Sequence, residues 1–169
     1  IKAAVTDSEE DDRKPYSLDA LSTIFNSPVY AKGDRPLGGG GEAAYWLPLL
    51  GLFTGARLEE LGQLHPDDVH EESTPDMSLT AWVIRVRTGE GQHLKNKVTN
   101  RRRIPMHQAL IDLGFLDYVK AAKAKQQHRI FDKLKLNKYG KHTDAWSKWF
   151  GRYLRQTCGI KDTALVFHS

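Results

Sequence analysis

The sequence predicts a mostly helical α+β domain with a small antiparallel β-sheet that carries a basic hairpin. Apolar residues recur at helical spacing from Leu110 to Gln126 and from Asp144 to Gln156, and the segment from Glu42 to Phe53 is largely apolar, as expected of a buried helix. Thr80 to Arg87 (TAWVIRVR) instead has the β-branched and aromatic composition of a strand. A chain of 169 residues with 40% hydrophobic residues is long enough to bury one core.

The charge and cysteine content limit the class of protein. The net charge is +4, and residues 1–12 are acidic, so the rest of the chain is more basic than the total indicates. The single cysteine, Cys158, excludes an intramolecular disulfide and a cysteine-based zinc site. No apolar run approaches the roughly 18 residues of a membrane span, and no signal peptide is visible. A cytoplasmic protein without a membrane partner is expected.

The first elements follow a charged end. Residues 1–15 are predicted to be a linker or disordered end, and residues 16–169 a portion of one domain. Ser17 is predicted to cap a short helix whose Leu18, Leu21 and Phe25 face inward.

A glycine-rich loop and an apolar helix come next. Residues 32–41 (KGDRPLGGGG) are predicted to be a mobile loop, since four consecutive glycines offer nothing to pack. The helix from Glu42 to Phe53 is apolar on most sides, which predicts burial. Thr54 and Gly55 break it, and Thr54 is predicted to cap a new helix with Arg57 in its first turn. A cation in the first turn opposes the helix dipole and is unfavourable there, so the position of Arg57 requires an explanation.

The second half combines a hairpin with two helices. Asn100 to His107 (NRRRIPMH) is predicted to pair antiparallel with the strand from Thr80 to Arg87 through a basic hairpin. The helices from Leu110 to Gln126 and from Asp144 to Gln156 are amphipathic. On the last helix four aromatic residues form one stripe, and we interpret this stripe as core rather than as a base-stacking platform: Trp146, Trp149, Phe150 and Tyr153.

Three stretches contain candidate functional residues. Arg57 and Glu60 lie three apart, either as a surface ion pair or as part of a phosphate site at the Thr54-Gly55 break. Five cations lie on or beside the hairpin: Lys95, Lys97, Arg101, Arg102 and Arg103. They either prevent an exposed edge strand from pairing with other chains or bind a phosphate backbone. His168 follows an apolar run. Taken alone it is weak evidence for a functional site, because most single histidines are structural or merely exposed.

Together these stretches resemble the catalytic domain of the tyrosine recombinases, the phage-integrase family of site-specific DNA recombinases. TGARLEELGQLHPDDV is similar to the first family box, KVTNRRRIP to the catalytic hairpin, and LVFHS to the start of the second box, His-x-x-Arg. The opening KPYSLDALSTIF is similar to the entry into the domain. The resemblance runs from about Lys14 to the end of the sequence.

The resemblance implies site-specific DNA recombination and integration through a 3′-phosphotyrosine intermediate, without metal or cofactor. Arg57 would be the first catalytic arginine, Glu60 its supporting carboxylate, Lys97 the catalytic lysine with Lys95 in reserve, and His168 the histidine of the second box. Lys95 and Arg101 to Arg103 would contact DNA. The partner would be double-stranded attachment-site DNA of a phage, island or plasmid element, with a synaptic tetramer formed by the full-length protein.

The sequence departs from the family pattern after His168. The second arginine should lie three residues later and the nucleophilic tyrosine later still, so none of the six tyrosines present is a candidate nucleophile. We therefore expect this chain to be the N-terminal portion of a catalytic domain that binds DNA without cleaving it. The alternatives are a noncatalytic DNA-binding module with a basic face and a helical interaction domain whose cations are only solvated.

Overall fold

The computed structural model describes residues 14–89, 91–92 and 101–167. Seven helices and a three-stranded sheet are seen in these residues, which confirms the α+β organisation. In chain order they are α1 (Leu18–Phe25), α2 (Pro28–Ala31), α3 (Glu42–Thr54), α4 (Leu58–Gly62), β1 (Val69–Ser73), β2 (Thr80–Val86), β3 (Arg102–Pro105), α5 (Gln108–Asp112), α6 (Phe115–Ala124) and α7 (Asp144–Gln156). None of the helices described has the length and apolar content needed to cross a membrane.

The sheet is antiparallel in the order β1-β2-β3. Strand β2 is central, and its fully buried Ile84 lies between Val69 of β1 and Ile104 of β3. Strands β2 and β3 were both predicted, whereas β1 was not. Most of the connection from β2 to β3 lies outside the described residues, and with it Lys95 and Lys97.

Helix α3 occupies the centre of the core. Its Ala43, Leu47 and Leu50 are fully buried, as its all-round apolar composition predicts. Helix α7 packs its aromatic stripe on the same core: Trp146 and Phe150 are buried, and their rings stack with centroids 4.9 Å apart. The interpretation of this stripe as core is confirmed.

The glycine-rich segment packs against α7, which corrects one expectation. Leu37–Gly39 forms a short 3-10 turn, and a Cβ added to Gly38 or Gly39 would lie 2.9 or 2.8 Å from the Trp149 ring. The expectation that these glycines have nothing to pack is therefore wrong. They are glycines because the indole occupies the space that a side chain would need.

Two further predictions about helices were wrong. Ser17 does cap α1, accepting the Ala20 N–H at 3.2 Å, but Leu18 is exposed and Ile24 is the buried residue of this helix. The helix predicted from Leu110 to Gln126 is two helices, α5 and α6. They are separated at Gly114, whose φ of +88° places it in the left-handed region that favours glycine.

Gly62 allows α4 to approach the start of α7 closely. A Cβ at Gly62 would overlap the methyl group of Thr143. We expect Gly62→Ala to lower the free energy of unfolding by about 1–3 kcal/mol, because this contact cannot relax without moving Thr143. Urea denaturation measures the change.

Gly151 provides the matched control for Gly62→Ala. It lies inside α7 with ordinary helical φ, and no atom outside its chain neighbours and the nearby α7 backbone lies within 4 Å of the position that a Cβ would occupy. Gly151→Ala should raise the free energy of unfolding by about 0.5–1 kcal/mol through helix propensity alone. Equal effects of the two substitutions would contradict the close approach of α4 to α7.

Candidate functional site

Arg57 lies at the junction between α3 and α4. Helix α3 includes Thr54 and ends at Gly55, whose φ of +61° reverses the chain direction. Arg57 has extended backbone (φ −67°, ψ 146°) and is itself the residue before the first turn of α4. The prediction that Thr54 caps α4 is therefore wrong: Thr54 ends α3, and its hydroxyl accepts the Ala56 N–H at 3.1 Å.

Glu60 is the buried anchor of this junction, with only 4% of its side chain exposed. Its Oε2 accepts the Arg57 backbone N–H at 2.9 Å, which caps the first turn of α4. The Arg57 guanidinium lies farther away, with Nη1 3.9 Å from Glu60 Oε1. The predicted proximity of Arg57 and Glu60 is confirmed, although the closer bond involves the backbone of Arg57 rather than its side chain.

Arg102 is the main charge partner of Glu60. Its Nη2 and Nη1 lie 2.8 and 3.3 Å from the two carboxylate oxygens, a bidentate arrangement across 42 positions of sequence. A carboxylate this deeply buried needs such a partner, since an unpaired buried charge is costly. Strand β3 is thereby fixed to α4 directly beside Arg57.

The side chain of Arg57 is half exposed, at 51%. Within the described part of the chain, the long contact to Glu60 is the one ion pair found for it. The backbone N–H of Arg57 is already bonded to Glu60, so an anion at this junction would be bound by the side chain and not by the backbone. The junction presents the arginine fork to solvent, and a planar fork is suited to two phosphate oxygens.

The three arginines of β3 and its approach divide between two environments. Arg101 is exposed and donates from Nη2 to Thr88 Oγ1 at 2.8 Å. Arg103 is 68% exposed, and its Nε lies 2.9 Å from Glu72 Oε1. Arg102, between them, turns inward to Glu60 because side chains alternate along a strand. Arg101 and Arg103 are placed to meet a ligand from solvent, whereas Arg102 supports the Arg57 junction.

Asp68 forms a second buried anchor, which the sequence indicated only as part of the first box. Its carboxylate accepts the His65 N–H at 3.0 Å, Gln92 Nε2 at 2.6 Å and Arg87 Nε at 2.5 Å. Gln92 also donates to the carbonyl of Gln63 at 3.2 Å. Asp68 thus ties the segment after α4 to both β2 and the base of the connection to β3.

Glu59 ties α4 to the start of α7. Its Oε1 accepts the His142 N–H at 2.8 Å, and its Oε2 accepts the Thr143 N–H at 3.1 Å and the Thr143 hydroxyl at 2.5 Å. The neighbouring carboxylates Glu59 and Glu60 therefore hold opposite sides of a five-residue helix. Nothing in the sequence marked Glu59, because its partners are more than 80 positions away.

Several tyrosines serve packing. Tyr30 donates to the Tyr45 carbonyl at 2.9 Å, and Tyr118 donates to the Ile130 carbonyl at 3.0 Å. Burial raises the pKa of both hydroxyls, and it raises the pKa of Tyr16 to about 12. A nucleophilic tyrosine requires the opposite environment, one that favours the phenolate.

The remaining candidate residues lie outside the described part of the chain: Lys95, Lys97 and His168. Phe167, the last described residue, packs against Trp146 with ring centroids 5.5 Å apart. Among the described side chains no group of three histidine, cysteine, aspartate or glutamate residues is arranged to hold a metal ion.

Comparisons with models of known protein families, with curated proteins and with solved structures find no match to this chain. The interpretation of the site consequently depends on its own geometry and on the resemblance of its motifs.

Proposed function

We propose that this chain is the N-terminal portion of a tyrosine recombinase catalytic domain, with Arg57 as a transition-state-stabilising arginine. The observation that carries the proposal is the half-exposed Arg57 side chain beside the buried Glu60 carboxylate and its partner Arg102. Glu60 accepts the Arg57 backbone N–H and two guanidinium nitrogens of Arg102, so the backbone that carries the Arg57 side chain is fixed to β3. Holding an arginine in place before the reaction begins is what electrostatic catalysis requires.

In the proposed reaction a tyrosine hydroxyl attacks the scissile phosphorus, and the bond from phosphorus to the 5′ oxygen breaks. The attacking tyrosine gives its proton to His168 or to water, and Lys97 donates one to the departing 5′ oxygen. Arg57 stabilises the negative charge that gathers on the nonbridging oxygens, while His168 hydrogen-bonds the phosphate or assists proton transfer. The free 5′-hydroxyl of a partner strand then attacks the phosphotyrosine, so phosphodiester energy is conserved.

Covalent trapping on DNA tests this proposal. A longer protein that includes the expected downstream arginine and tyrosine should form an adduct with its recombination site that resists SDS and is removed by protease. The adduct should form in EDTA, because no step needs a metal. The 169-residue chain should bind the same DNA without forming an adduct.

Each outcome of the trapping experiment decides a different point. An adduct formed by the 169-residue chain would overturn the expectation that its tyrosines are not nucleophiles. No adduct from the longer protein, with DNA binding intact, would overturn the recombinase proposal and favour the noncatalytic DNA-binding module. The exposed Arg101 and Arg103 would serve that module equally well.

A further inference from the structure

The segment between α6 and α7 contains an unusual concentration of positive charge. Residues 133–141 (KLKLNKYGK), here named the lysine loop, hold four lysines and no acidic residue. All four lysine side chains are exposed. They are Lys133, Lys135, Lys138 and Lys141.

The lysine loop has a fixed shape in its second half. Asn137 Oδ1 accepts the backbone N–H groups of Tyr139 and Lys141, both at 2.9 Å. The N–H of Asn137 donates to the Lys141 carbonyl at 2.8 Å, and Gly140 adopts a φ of +74° to close the turn. The buried Leu134 anchors the other half in the core. The lysines are therefore presented on a formed turn.

The lysines of the lysine loop form no close ion pair within the described structure. No carboxylate oxygen there lies within 4 Å of any of its four ammonium groups, whereas four other lysines each have such a partner. Of the two nearest acids in sequence, Asp132 accepts Gln127 Nε2 at 3.0 Å, and Asp144 pairs with Lys148 at 3.1 Å while also interacting with Lys141 and Asn137 of the loop. Asp144 therefore offsets part of the charge of Lys141, and the remaining exposed cations fit an anionic surface.

An exposed aromatic ring accompanies these cations. Tyr139 is 74% exposed, and the Lys138 ammonium lies 5.0 Å from its ring centroid. Leu136 is also exposed. Tyrosine hydroxyls and lysines are common contacts to DNA phosphates, and an exposed ring can pack on a sugar.

The lysine loop is continuous with the Arg57 junction. The loop is followed directly by His142, whose backbone N–H bonds to Glu59 of α4 at 2.8 Å. A shallow depression beside α4 is lined by Lys141, by Leu58 and Glu59, and by Asp144 and Ser147 of α7. Lys141 therefore adjoins the helix that begins after Arg57.

We propose that the lysine loop is a second phosphate-binding surface for duplex DNA, contacting the backbone beside the phosphate bound by Arg57. The choice of DNA as the partner rests on the proposed function, while the surface itself rests on the charge, the turn and the continuity with α4. Its contacts would add affinity without base preference, since they reach only the backbone.

A salt titration of duplex binding with the 169-residue chain tests the proposal. The plot of log K against log salt has a negative slope, to which each neutralised phosphate contributes about −0.9. The variant Lys135→Ala/Lys138→Ala/Lys141→Ala should therefore make this slope shallower by about 2–3. Affinity at low salt should fall roughly tenfold or more. Thermal unfolding should be unchanged, since these side chains are exposed.

The matched control removes three other exposed lysines that lack a carboxylate partner in the described structure: Lys32→Ala/Lys125→Ala/Lys161→Ala. This control changes the net charge by the same amount as the lysine-loop variant. Its slope of log K against log salt should become shallower by less than about one unit. Equal slopes for the two triple variants would overturn the role of the lysine loop. A wild-type chain that binds no duplex DNA would overturn the proposed function itself, and tighter binding to polyglutamate than to DNA would reassign the loop to an acidic protein partner.

Discussion

In the longer protein that we propose cleaves DNA, Arg57→Lys is expected to slow strand cleavage by roughly two to three orders of magnitude. Lysine keeps the positive charge but cannot present the planar fork that binds two phosphate oxygens together. The loss matches the scale seen when one preorganised donor is removed from an oxyanion site. Single-turnover cleavage of a trapped substrate measures it.

The fold should tolerate Arg57→Lys. Glu60 bonds to the backbone N–H of Arg57, and a lysine retains this group and so the start of α4. Half of the arginine side chain is exposed, so its replacement opens no cavity in the core. DNA affinity should fall only a few-fold, because other cations continue to hold the backbone.

Arg103→Lys is the matched control for Arg57→Lys. Arg103 is more exposed and pairs at the surface with Glu72, so lysine should replace it with little change in cleavage. Equal cleavage rates for wild type and Arg57→Lys would remove Arg57 from the chemistry. Equal losses in both variants would indicate a general charge effect.

Local patterns were enough to predict the elements that are longest and most regular. Helix α7 has clear helical periodicity, and the structure gives it the predicted bounds, whereas α3 was predicted from its apolar composition and β2 from its β-branched and aromatic residues. Strand β1 (VHEES) has no such pattern, since it forms by pairing its backbone with β2. The Trp149 ring against Gly38 and Gly39 likewise could not be predicted, because it joins segments more than 100 positions apart.

The candidate site was predictable in part. Arg57 and Glu60 are three positions apart at the start of one short helix, so their proximity follows from local geometry. The separate environments of Arg102 and Arg103 depend instead on the register of β3. A shift of one residue would exchange their faces, and sequence alone does not give that register. Glu59 and Asp68 were missed as anchors for the same reason, since their partners come from distant elements.

Arg102→Met is expected to destabilise the fold by about 2–4 kcal/mol, because it leaves the buried Glu60 carboxylate without its main charge partner. The value lies toward the lower part of the range for broken buried pairs, since 36% of the Arg102 side chain is exposed. Urea denaturation of the 169-residue chain measures the loss. By contrast Arg103→Met, which breaks only a surface pair with Glu72, should change stability by less than about 0.5 kcal/mol.

The double variant Glu60→Gln/Arg102→Met should recover most of that stability. Glutamine carries no charge to leave unpaired, and its amide oxygen can still accept the Arg57 N–H. Cleavage by the longer protein should nevertheless stay impaired, because the carboxylate beside Arg57 is gone. Stability and cleavage restored together would mean that the Glu60–Arg102 pair serves the fold alone.

The salt dependence of DNA binding distinguishes the role of Arg102 from that of Arg103, its neighbour on β3. Under conditions where both single variants are folded, Arg103→Met should make the negative slope of log K against log salt shallower by about one unit, as expected for a lost phosphate contact. Arg102→Met should leave that slope unchanged, because its guanidinium bonds to Glu60 at 2.8 and 3.3 Å instead of facing a phosphate. If Arg102→Met lowered the slope as much as Arg103→Met, Arg102 would be a DNA contact, and its role in positioning Arg57 would have to be abandoned.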